Sequence, residues 1–185
     1  MNSIVSIDIE TTGLEADKDQ ILQLAAVSPL GCFNCFVEHS RYSGNAYALS
    51  LNSEIFKLLS KGKDDRIVRS DNLFDVFERW LKMVGLDNQR LFAMGKNFGA
   101  FDRQFLKAHD ARFDKLFHYR SLDVGSLYAD RNGIMSLKEI VDATPAYYHG
   151  LNAHDALDDA KIAYLAAALK MELPSIGATV HPPIE

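Results

Sequence analysis

Apolar and polar residues alternate at the start of the chain, as they do in a strand with one buried face. In residues 3–10 (SIVSIDIE), the odd-numbered aliphatic residues share one face, and Asp8 and Glu10 lie on the other. Two further apolar runs, residues 21–27 (ILQLAAV) and 32–38 (CFNCFVE), have the length and composition of strands. The short connections between the three runs predict an antiparallel meander.

Helical spacing of apolar residues begins after the meander. Residues 48–62 (ALSLNSEIFKLLSKG) are predicted to be helical, with Gly62 near the end. Residues 71–85 give a clearer helix, for which Asp71 or Asn72 can provide the N-cap. Its apolar residues are predicted to be core: Leu73, Phe74, Phe77, Trp80, Leu81 and Val84.

The second half of the chain alternates between strand and helix patterns. Residues 90–95 and 119–124 are predicted strands, and residues 100–110 lie between them as a helix. A shorter helical pattern at 136–143 precedes a long helix from about residue 155 to 171. A meander followed by alternating elements predicts an α/β fold with a five-stranded mixed sheet flanked by helices, and with the first strand at its centre.

Length and composition indicate one globular domain. The chain has 185 residues, of which 48% are hydrophobic and 24% charged. We expect a domain over residues 1–172 and a tail over 173–185, either loose or serving as a docking arm, because this last segment contains three of the five prolines. No apolar run approaches the roughly 18 residues of a membrane helix, and no secretory signal is visible. A cytoplasmic location without membrane association is therefore expected.

The charge balance limits the kinds of partner. With 20 basic and 25 acidic residues, the net charge is −5. Proteins that coat long nucleic acids usually present a broad basic surface, because neutralising phosphates supplies much of their affinity. An acidic chain fits an enzyme that meets phosphate at a small metal site better than it fits a coating protein.

The two cysteines form a C-x-x-C pattern that is compatible with a redox pair or half of a zinc site. Cys32 and Cys35 lie in a predicted strand, where residues three apart point to opposite faces. No second pair exists, and His39 alone cannot complete a zinc shell. Two buried thiols are the favoured interpretation.

Two acidic residues on the first strand suggest a cation site. Asp8 and Glu10 leave the same face, roughly 7 Å apart along the backbone. Two neighbouring carboxylates repel each other unless a cation lies between them, and hard oxygen ligands suit Mg²⁺ or Mn²⁺ better than zinc. Alone, this pair is weak evidence for a metal site, since solvated strand ends often carry acidic residues.

Two later segments add matching chemistry. In HDALDD, His154 supplies a base near the start of the long helix, and Asp159 supplies a carboxylate about one and a half turns into it. Asp155 and Asp158 are expected only to complement the helix dipole. Asp102 follows the fourth strand, where a lone aspartate is usually a helix cap.

These three segments together resemble the DEDDh branch of the DnaQ-like 3′→5′ exonucleases, whose fold is RNase H-like. DIETTGL, NFGAFDRQFL and HDALDD resemble the family's three motifs in order, with its His-x4-Asp spacing. The resemblance carries over Asp8, Glu10, Asp102 and Asp159 as metal-binding acids and His154 as the catalytic base. The Asn97-to-Asp102 gap and HYRSLDV resemble oligoribonucleases, whereas DIETTGL is closer to the general and proofreading form.

The resemblance implies hydrolysis by two divalent ions, Mg²⁺ or Mn²⁺, about 4 Å apart. One ion activates a water and the other steadies the leaving 3′-oxygen. Asp8 would bridge both ions, Glu10 and Asp159 would hold the first, and Asp102 would serve the second. His154 would take the proton of the attacking water. Nucleoside 5′-monophosphates would be released from the 3′ end of single-stranded DNA or RNA.

Substrate contacts follow from the same resemblance. The backbone around Thr11 and Thr12 and the side chain of Leu14 would meet the terminal nucleotide, and Asn97 lies in the second motif. Phe98 or Phe101 is expected to stack on bases. Of these two rings, Phe101 is favoured as core and Phe98 as the substrate contact.

Three alternatives remain open from sequence. An RNase H-like endonuclease or integrase also uses clustered acids, although it would not need the pair of His154 and Asp159. A polymerase-associated proofreading subunit would share the same chemistry. A non-catalytic nucleic-acid-binding module is disfavoured, because all five catalytic residues are present. Oligoribonuclease-like proteins are dimers, so a homodimer is a further expectation.

Overall fold

A six-stranded mixed sheet forms the centre of the molecule, in a computed structural model that describes residues 4–151, 154–179 and 182. Its strands are β1 (Ile4–Thr11), β2 (Ile21–Ser28), β3 (Gly31–Glu38), β4 (Ile67–Arg69), β5 (Phe92–Gly95) and β6 (Leu122–Asp123). They lie in the order β4-β3-β2-β1-β5-β6. β1, β2 and β3 pair antiparallel, whereas β5 and β6 continue in parallel from β1. The predicted α/β class, the meander and the central β1 are confirmed.

The sheet has one strand more than the five predicted. β4 comprises only three residues and pairs in parallel with the end of β3, where Val68 lies opposite Val37. It follows the polar run at 61–66, and only Val68 of its three side chains is buried. A strand of this length has too few residues to show a period of two. The first strand begins at Ile4, and Ser3 of the predicted strand lies outside the described residues.

Eight helices surround the sheet within the described residues: α1 (Ala46–Leu51), α2 (Ser53–Lys61), α3 (Leu73–Met83), α4 (Asp102–His109), α5 (Arg112–Leu116), α6 (Val124–Leu127), α7 (Leu137–Ala143) and α8 (Ala156–Met171). Single 3₁₀ turns occur at Ser70–Asn72 and Pro145–Tyr147. None of the helices in this part of the chain is long and apolar enough to cross a membrane.

Local side chains explain where two predicted helices differ from the structure. The helix expected over 48–62 is divided at Asn52, whose amide donates to the carbonyl of Thr11 at 3.1 Å. Gly62 ends α2 with a left-handed φ of 58°, as predicted. The expected side-chain cap of α3 is wrong, because Asn72 at its N-cap makes no such bond and a 3₁₀ turn leads into the helix.

The core has one layer on each face of the sheet. On one face the predicted apolar stripe of α3 is confirmed as core, and the ring centroids of Phe77 and Trp80 lie 5.3 and 5.6 Å from that of Phe33. On the other face α8 packs against β1 and β2 through small residues, including Ala160 and Ala163. Close packing of α8 brings its first turn to the strand that bears the acids.

Both cysteines are buried free thiols, as predicted. Cys32 packs in the layer beside α8, whereas Cys35 packs in the layer beside α3, so the two side chains lie on opposite faces. Burial raises the pKa of both thiols.

The described part of the predicted tail is docked rather than loose. Gly177 N donates to Ser28 O at 3.0 Å, and Cys32 N donates to Ala178 O at 3.0 Å, so the tail lies along the β2–β3 turn. A Cβ at Gly177 would meet Gly31 N at 2.5 Å, which shows how closely the backbones approach. The remaining residues of the predicted tail, other than 182, lie outside the described residues: 180, 181 and 183–185.

Candidate active site

Asp8 and Glu10 lie in the second half of β1, on the face that α8 covers. Both side chains are partly buried. Their antiparallel partners on β2 are Ala25, opposite Asp8, and Gln23, opposite Glu10. The register shifts by one residue directly after Glu10, and such bulges are common beside active sites. The two carboxyl groups therefore share one face of the sheet, as the alternation predicted.

Asp102 reaches β1 from the first residue of α4. It is only 2% exposed, and its Oδ1 accepts a hydrogen bond from Ile9 N at 3.1 Å. Ile9 lies between the two acids of β1, beyond the last residue of β1 that pairs with β5. The start of α4 is thus fixed to the centre of the acidic strand, which brings a third carboxyl group beside Asp8 and Glu10.

His154 and Asp159 complete the group from the start of α8. The His154 backbone is left-handed, with a φ of 65°, and its N–H donates to Asp159 Oδ2 at 3.2 Å. Potential ligand atoms of Glu10, His154 and Asp159 all lie within 4.8 Å of one another. A left-handed backbone is unfavourable for a residue with a Cβ, and such strain is concentrated at functional sites.

The carboxyl groups make the site electrostatically unfavourable without a counter-charge. Burial, followed by the charges of Asp102, Asp159 and Glu10, raises the pKa of Asp8 well above its usual range. Burial raises the pKa of Glu10 to about 7 and that of Asp102 to about 8. The pKa of Asp159 is raised for the same reason. A cation among these oxygens would favour the ionised forms, so the donor set fits a hard divalent metal.

One predicted substrate contact is wrong. The ring of Phe98 is 1% exposed and packs edge-on against Phe117, with centroids 5.2 Å apart, so it offers no face to a base. Phe101, which was favoured as core, is only partly buried and lies beside Phe105 at 4.9 Å. Both rings pack on the same core layer, Phe98 within it and Phe101 at its margin.

Asn97 lies just after β5, next to the acidic strand. Its φ of 62° is left-handed, and its N–H donates to Asp123 Oδ2 at 2.7 Å. The side-chain oxygen accepts from Lys96 Nζ at 2.8 Å. Contact between Asn97 and substrate stays a prediction.

The loop after β1 holds its two threonines inward and Leu14 outward. Thr11 Oγ1 donates to Gly13 O at 2.6 Å, and Thr12 Oγ1 accepts from Gln20 N at 2.9 Å. Leu14, in contrast, is 82% exposed. The backbone of Thr12 is bonded as well, since its N–H donates to Gln20 O at 2.9 Å and its carbonyl accepts from Asn45 N at 2.8 Å. The backbone contacts predicted for Thr11 and Thr12 stay predictions.

Three polar residues of the site were not singled out from sequence. Gln23 and Asn34 are buried within β2 and β3, and Asn52 is buried beneath the loop after β1. The Asn52 side chain also forms a hydrogen bond that lowers the pKa of Glu10 against the larger effect of burial. A single amide within an apolar strand, as in ILQLAAV and CFNCFVE, is the signal that would have identified two of them.

Fold and site together define an RNase H-like nuclease: a mixed sheet whose central strand bears clustered acids, with further acids from flanking helices. Comparison with known proteins agrees. The RNase_T family model, described as an exonuclease, matches residues 5–167. The chain belongs to this family and is a DnaQ-like 3′→5′ exonuclease.

Curated relatives match over most of their length. An oligoribonuclease of Pseudomonas aeruginosa is 26% identical over 168 residues, which cover 85% of this chain and 87% of the relative. An oligoribonuclease of Xanthomonas campestris is 24% identical over 173 residues, or 85% and 81% of the two chains.

Solved structures share the fold. E. coli Exonuclease I in complex with a dT13 oligonucleotide gives a TM-score of 0.65 at 17% identity, covering 90% of this chain and 40% of that one. The chain thus spans less than half of Exonuclease I. The nuclease domain of 3′hExo, a DEDDh family member bound to rAMP, gives a TM-score of 0.62 at 15% identity, covering 96% of both chains.

Proposed function

We propose that the protein is a metal-dependent exonuclease that shortens single-stranded nucleic acid or short oligonucleotides from the 3′ end and releases nucleoside 5′-monophosphates. The observation that carries the proposal is the meeting of four acids and one imidazole: ligand atoms of Glu10, Asp159 and His154 lie within 4.8 Å of one another, and the charges of Asp102, Asp159 and Glu10 all act on Asp8. These residues come from three elements, β1, α4 and α8, so no local reason such as helix capping explains their meeting.

The four acids would hold two ions of Mg²⁺ or Mn²⁺. Their raised pKa values support this proposal, since carboxyl groups that resist ionisation together become ionised when a cation is bound. The ions would supply the charge that activates water and stabilises the leaving 3′-oxygen. Asp8 is central because Asp102, Asp159 and Glu10 all act on its pKa.

His154 would act as the general base. Its side chain is exposed, and its backbone is held by Asp159, so the ring can face a substrate beside the acids. The water oxygen would bond to phosphorus while its proton passes to the imidazole. The bond between phosphorus and the 3′-oxygen would break, the 3′-oxygen of the shortened strand would take up a proton from solvent, and the terminal nucleotide would leave as a 5′-monophosphate.

Substrate size is supported by charge and exposure. The net charge of −5 is poorly suited to binding long phosphate chains, which favours short oligonucleotides or a single chain end. Leu14, 82% exposed next to the acidic strand, would contact the terminal base, with backbone contacts from Thr11 and Thr12 and a further contact from Asn97. The names of the oligoribonuclease relatives favour RNA, whereas the Exonuclease I complexes contain DNA.

The test is degradation of matched 5′-labelled DNA and RNA oligomers of two to thirty nucleotides, with Mg²⁺, Mn²⁺ or EDTA. A ladder that shortens evenly from the 3′ end, and that is absent with EDTA and with Asp8→Asn, supports the proposal. Asp114→Asn is the matched control, since Asp114 pairs with Arg103 away from the acidic group.

The same assay separates the alternatives. Cleavage of a 3′-blocked or circular oligomer would indicate an endonuclease, and binding without cleavage would indicate a non-catalytic module. Activity that appears only with a polymerase would indicate a proofreading subunit. Light scattering tests the homodimer that resemblance to oligoribonucleases implies.

A further inference from the structure

The side-chain amide of Gln23 joins β2, the strand next to the acidic β1, to the start of α8. Gln23 is fully buried on β2, directly opposite Glu10. Its Nε2 donates to Asp155 Oδ2 at 3.2 Å, and its Oε1 accepts from Ala156 N at 3.2 Å. One amide therefore donates to the carboxylate of the N-cap residue of α8 and accepts from the first N–H of that helix, which has no partner within the helix.

Asp155 and the N–H of Ala156 fix which way the Gln23 amide faces, because a carboxylate can only accept and an N–H can only donate. The second N–H of the Gln23 amide donates to Asn34 Oδ1 on β3 at 3.0 Å, and Asn34 is 3% exposed. If the Gln23 amide were reversed, its oxygen would face the Asp155 oxygen, and its NH₂ would face the N–H of Ala156. The buried pair thus has one favourable arrangement.

The held segment lies directly beside the proposed base. Asp155 accepts from Leu157 N and Asp158 N with its other oxygen, so its carboxylate is bonded on both sides. The preceding residue is His154, whose left-handed backbone needs support from its surroundings. Asp159 Oδ2 accepts the His154 N–H directly, and Gln23 holds the next residue, Asp155, to the sheet.

We infer that Gln23 is a positioning residue for His154, with Asn34 accepting the second N–H of its amide; the inference rests on the proposed function, in which His154 is the base. The amide never needs to touch substrate. It determines where α8 begins, and so it determines where the imidazole stands relative to Glu10.

Asp159 has further support that does not involve this amide. It lies in the first turns of α8, whose position is held by the buried residues Ala160 and Ala163 against the sheet. Loss of the Gln23 amide should therefore disturb the base and spare the metal-binding acids. This difference separates positioning from a general loss of structure.

The experiment is a double-mutant cycle in the full chain, with a short 5′-labelled oligonucleotide and Mg²⁺. Gln23→Met keeps the volume and removes the hydrogen bonds, and Asn34→Leu removes only the acceptor of the second Gln23 N–H. Each is combined with His154→Ala. Leu24→Val is the matched control, because Leu24 is equally buried on β2 but packs in the opposite core layer. Thermal melting confirms that each variant is folded. If Gln23→Met does not fold, Asn34→Leu decides: a fall in kcat that disappears in the His154→Ala background supports the inference, and an unchanged kcat overturns it.

The expected result is that Gln23→Met lowers kcat about 10- to 100-fold, as supporting residues around active sites commonly do. KM and the Mg²⁺ concentration for half-maximal activity should change less than about threefold, since the acids stay in place. In the His154→Ala background, the same substitution should change kcat less than about twofold, because the group it positions is gone.

Three results would overturn the inference: an unchanged kcat in Gln23→Met, an equal loss in Leu24→Val, or an equal fold-loss with and without His154. Failure of the proposed function has a different signature. In that case the wild-type chain itself would not shorten oligonucleotides from the 3′ end. If the enzyme is active but the fold-losses of Gln23→Met and His154→Ala simply multiply in the double variant, only the role of Gln23 is contradicted.

Discussion

Replacing Asp102 by Asn should stabilise the metal-free protein at pH 8. Asp102 is 2% exposed, and burial raises its pKa to about 8. Asparagine resembles the protonated carboxyl group in shape, and its Oδ1 can still accept from Ile9 N, which lies 3.1 Å from the aspartate oxygen. The substitution therefore removes an unfavourable charge while it keeps the bond that joins α4 to β1.

The size of the effect follows from the pKa. A rise from the ordinary value of 3.8 to about 8 corresponds to at most about 6 kcal/mol against the folded state. The new amide NH₂ group needs a partner, and leaving it without one costs about 1–3 kcal/mol. We expect a net gain of about 3 kcal/mol, or a rise in Tm of roughly 6–12 °C for a chain of this length.

The difference in stability between Asp102→Asn and wild type depends on pH. Because the folded pKa is raised, the wild-type carboxyl weakens folding progressively as pH rises from about 4 to about 8. The difference in Tm between Asp102→Asn and wild type should thus be small at pH 4.5 and largest at pH 8, both in EDTA. Asp114→Asn is the opposite control: Arg103 lowers the pKa of Asp114, so its loss should lower Tm at pH 8.

Mg²⁺ should act against the stability advantage of the variant. Binding of a cation stabilises the folded state that binds it, so about 10 mM Mg²⁺ should raise the Tm of wild type more than that of Asp102→Asn. A variant Tm at or below wild type in EDTA at pH 8 would refute the electrostatic reasoning. An equal Mg²⁺ effect on both would refute a role for Asp102 in holding metal.

Three further outcomes are expected. His154→Ala should lower kcat about 10²- to 10⁴-fold in the oligonucleotide assay with little change in Mg²⁺ dependence. A fall in Mg²⁺ affinity as large as the fall in kcat, measured by calorimetry, would contradict its role as base. Leu14→Ala should raise KM about tenfold without changing Tm, since the side chain is 82% exposed; an unchanged KM would remove Leu14 from the substrate site. Gly177→Val should lower Tm and make the buried Cys32 thiol reactive, because a Cβ there would lie 2.5 Å from Gly31 N; an unreactive thiol would show that the tail stays docked.

The sheet and its acids were predictable because they depend on local alternation. A period of two fixed the face of each residue in β1, so Asp8 and Glu10 could be placed together without knowledge of the rest of the fold. Spacing alone did not bring Asp102 to them; the family resemblance did. In the structure, the hydrogen bond from Ile9 N to Asp102 gives the physical reason.

The errors have a different origin. β4 is a three-residue strand whose partner, β3, lies about thirty residues earlier in the chain, and such pairing leaves no local pattern. The choice between Phe98 and Phe101 fell in a loop without periodicity, where no pattern indicates which ring is buried. The link from Gln23 to Asp155 spans 132 positions, so only the oddity of an amide in an apolar run pointed toward it.

The outer edge of β3 is closed by two segments from distant parts of the chain. β4 covers its final residues, and the backbone around Ala178 and Thr179 covers Cys32 near its beginning. An uncovered strand edge can pair with the edge of another molecule and begin aggregation. Proteolytic loss of the segment after α8 would therefore expose the part of this edge near Cys32 and open it to pairing with a strand of another molecule.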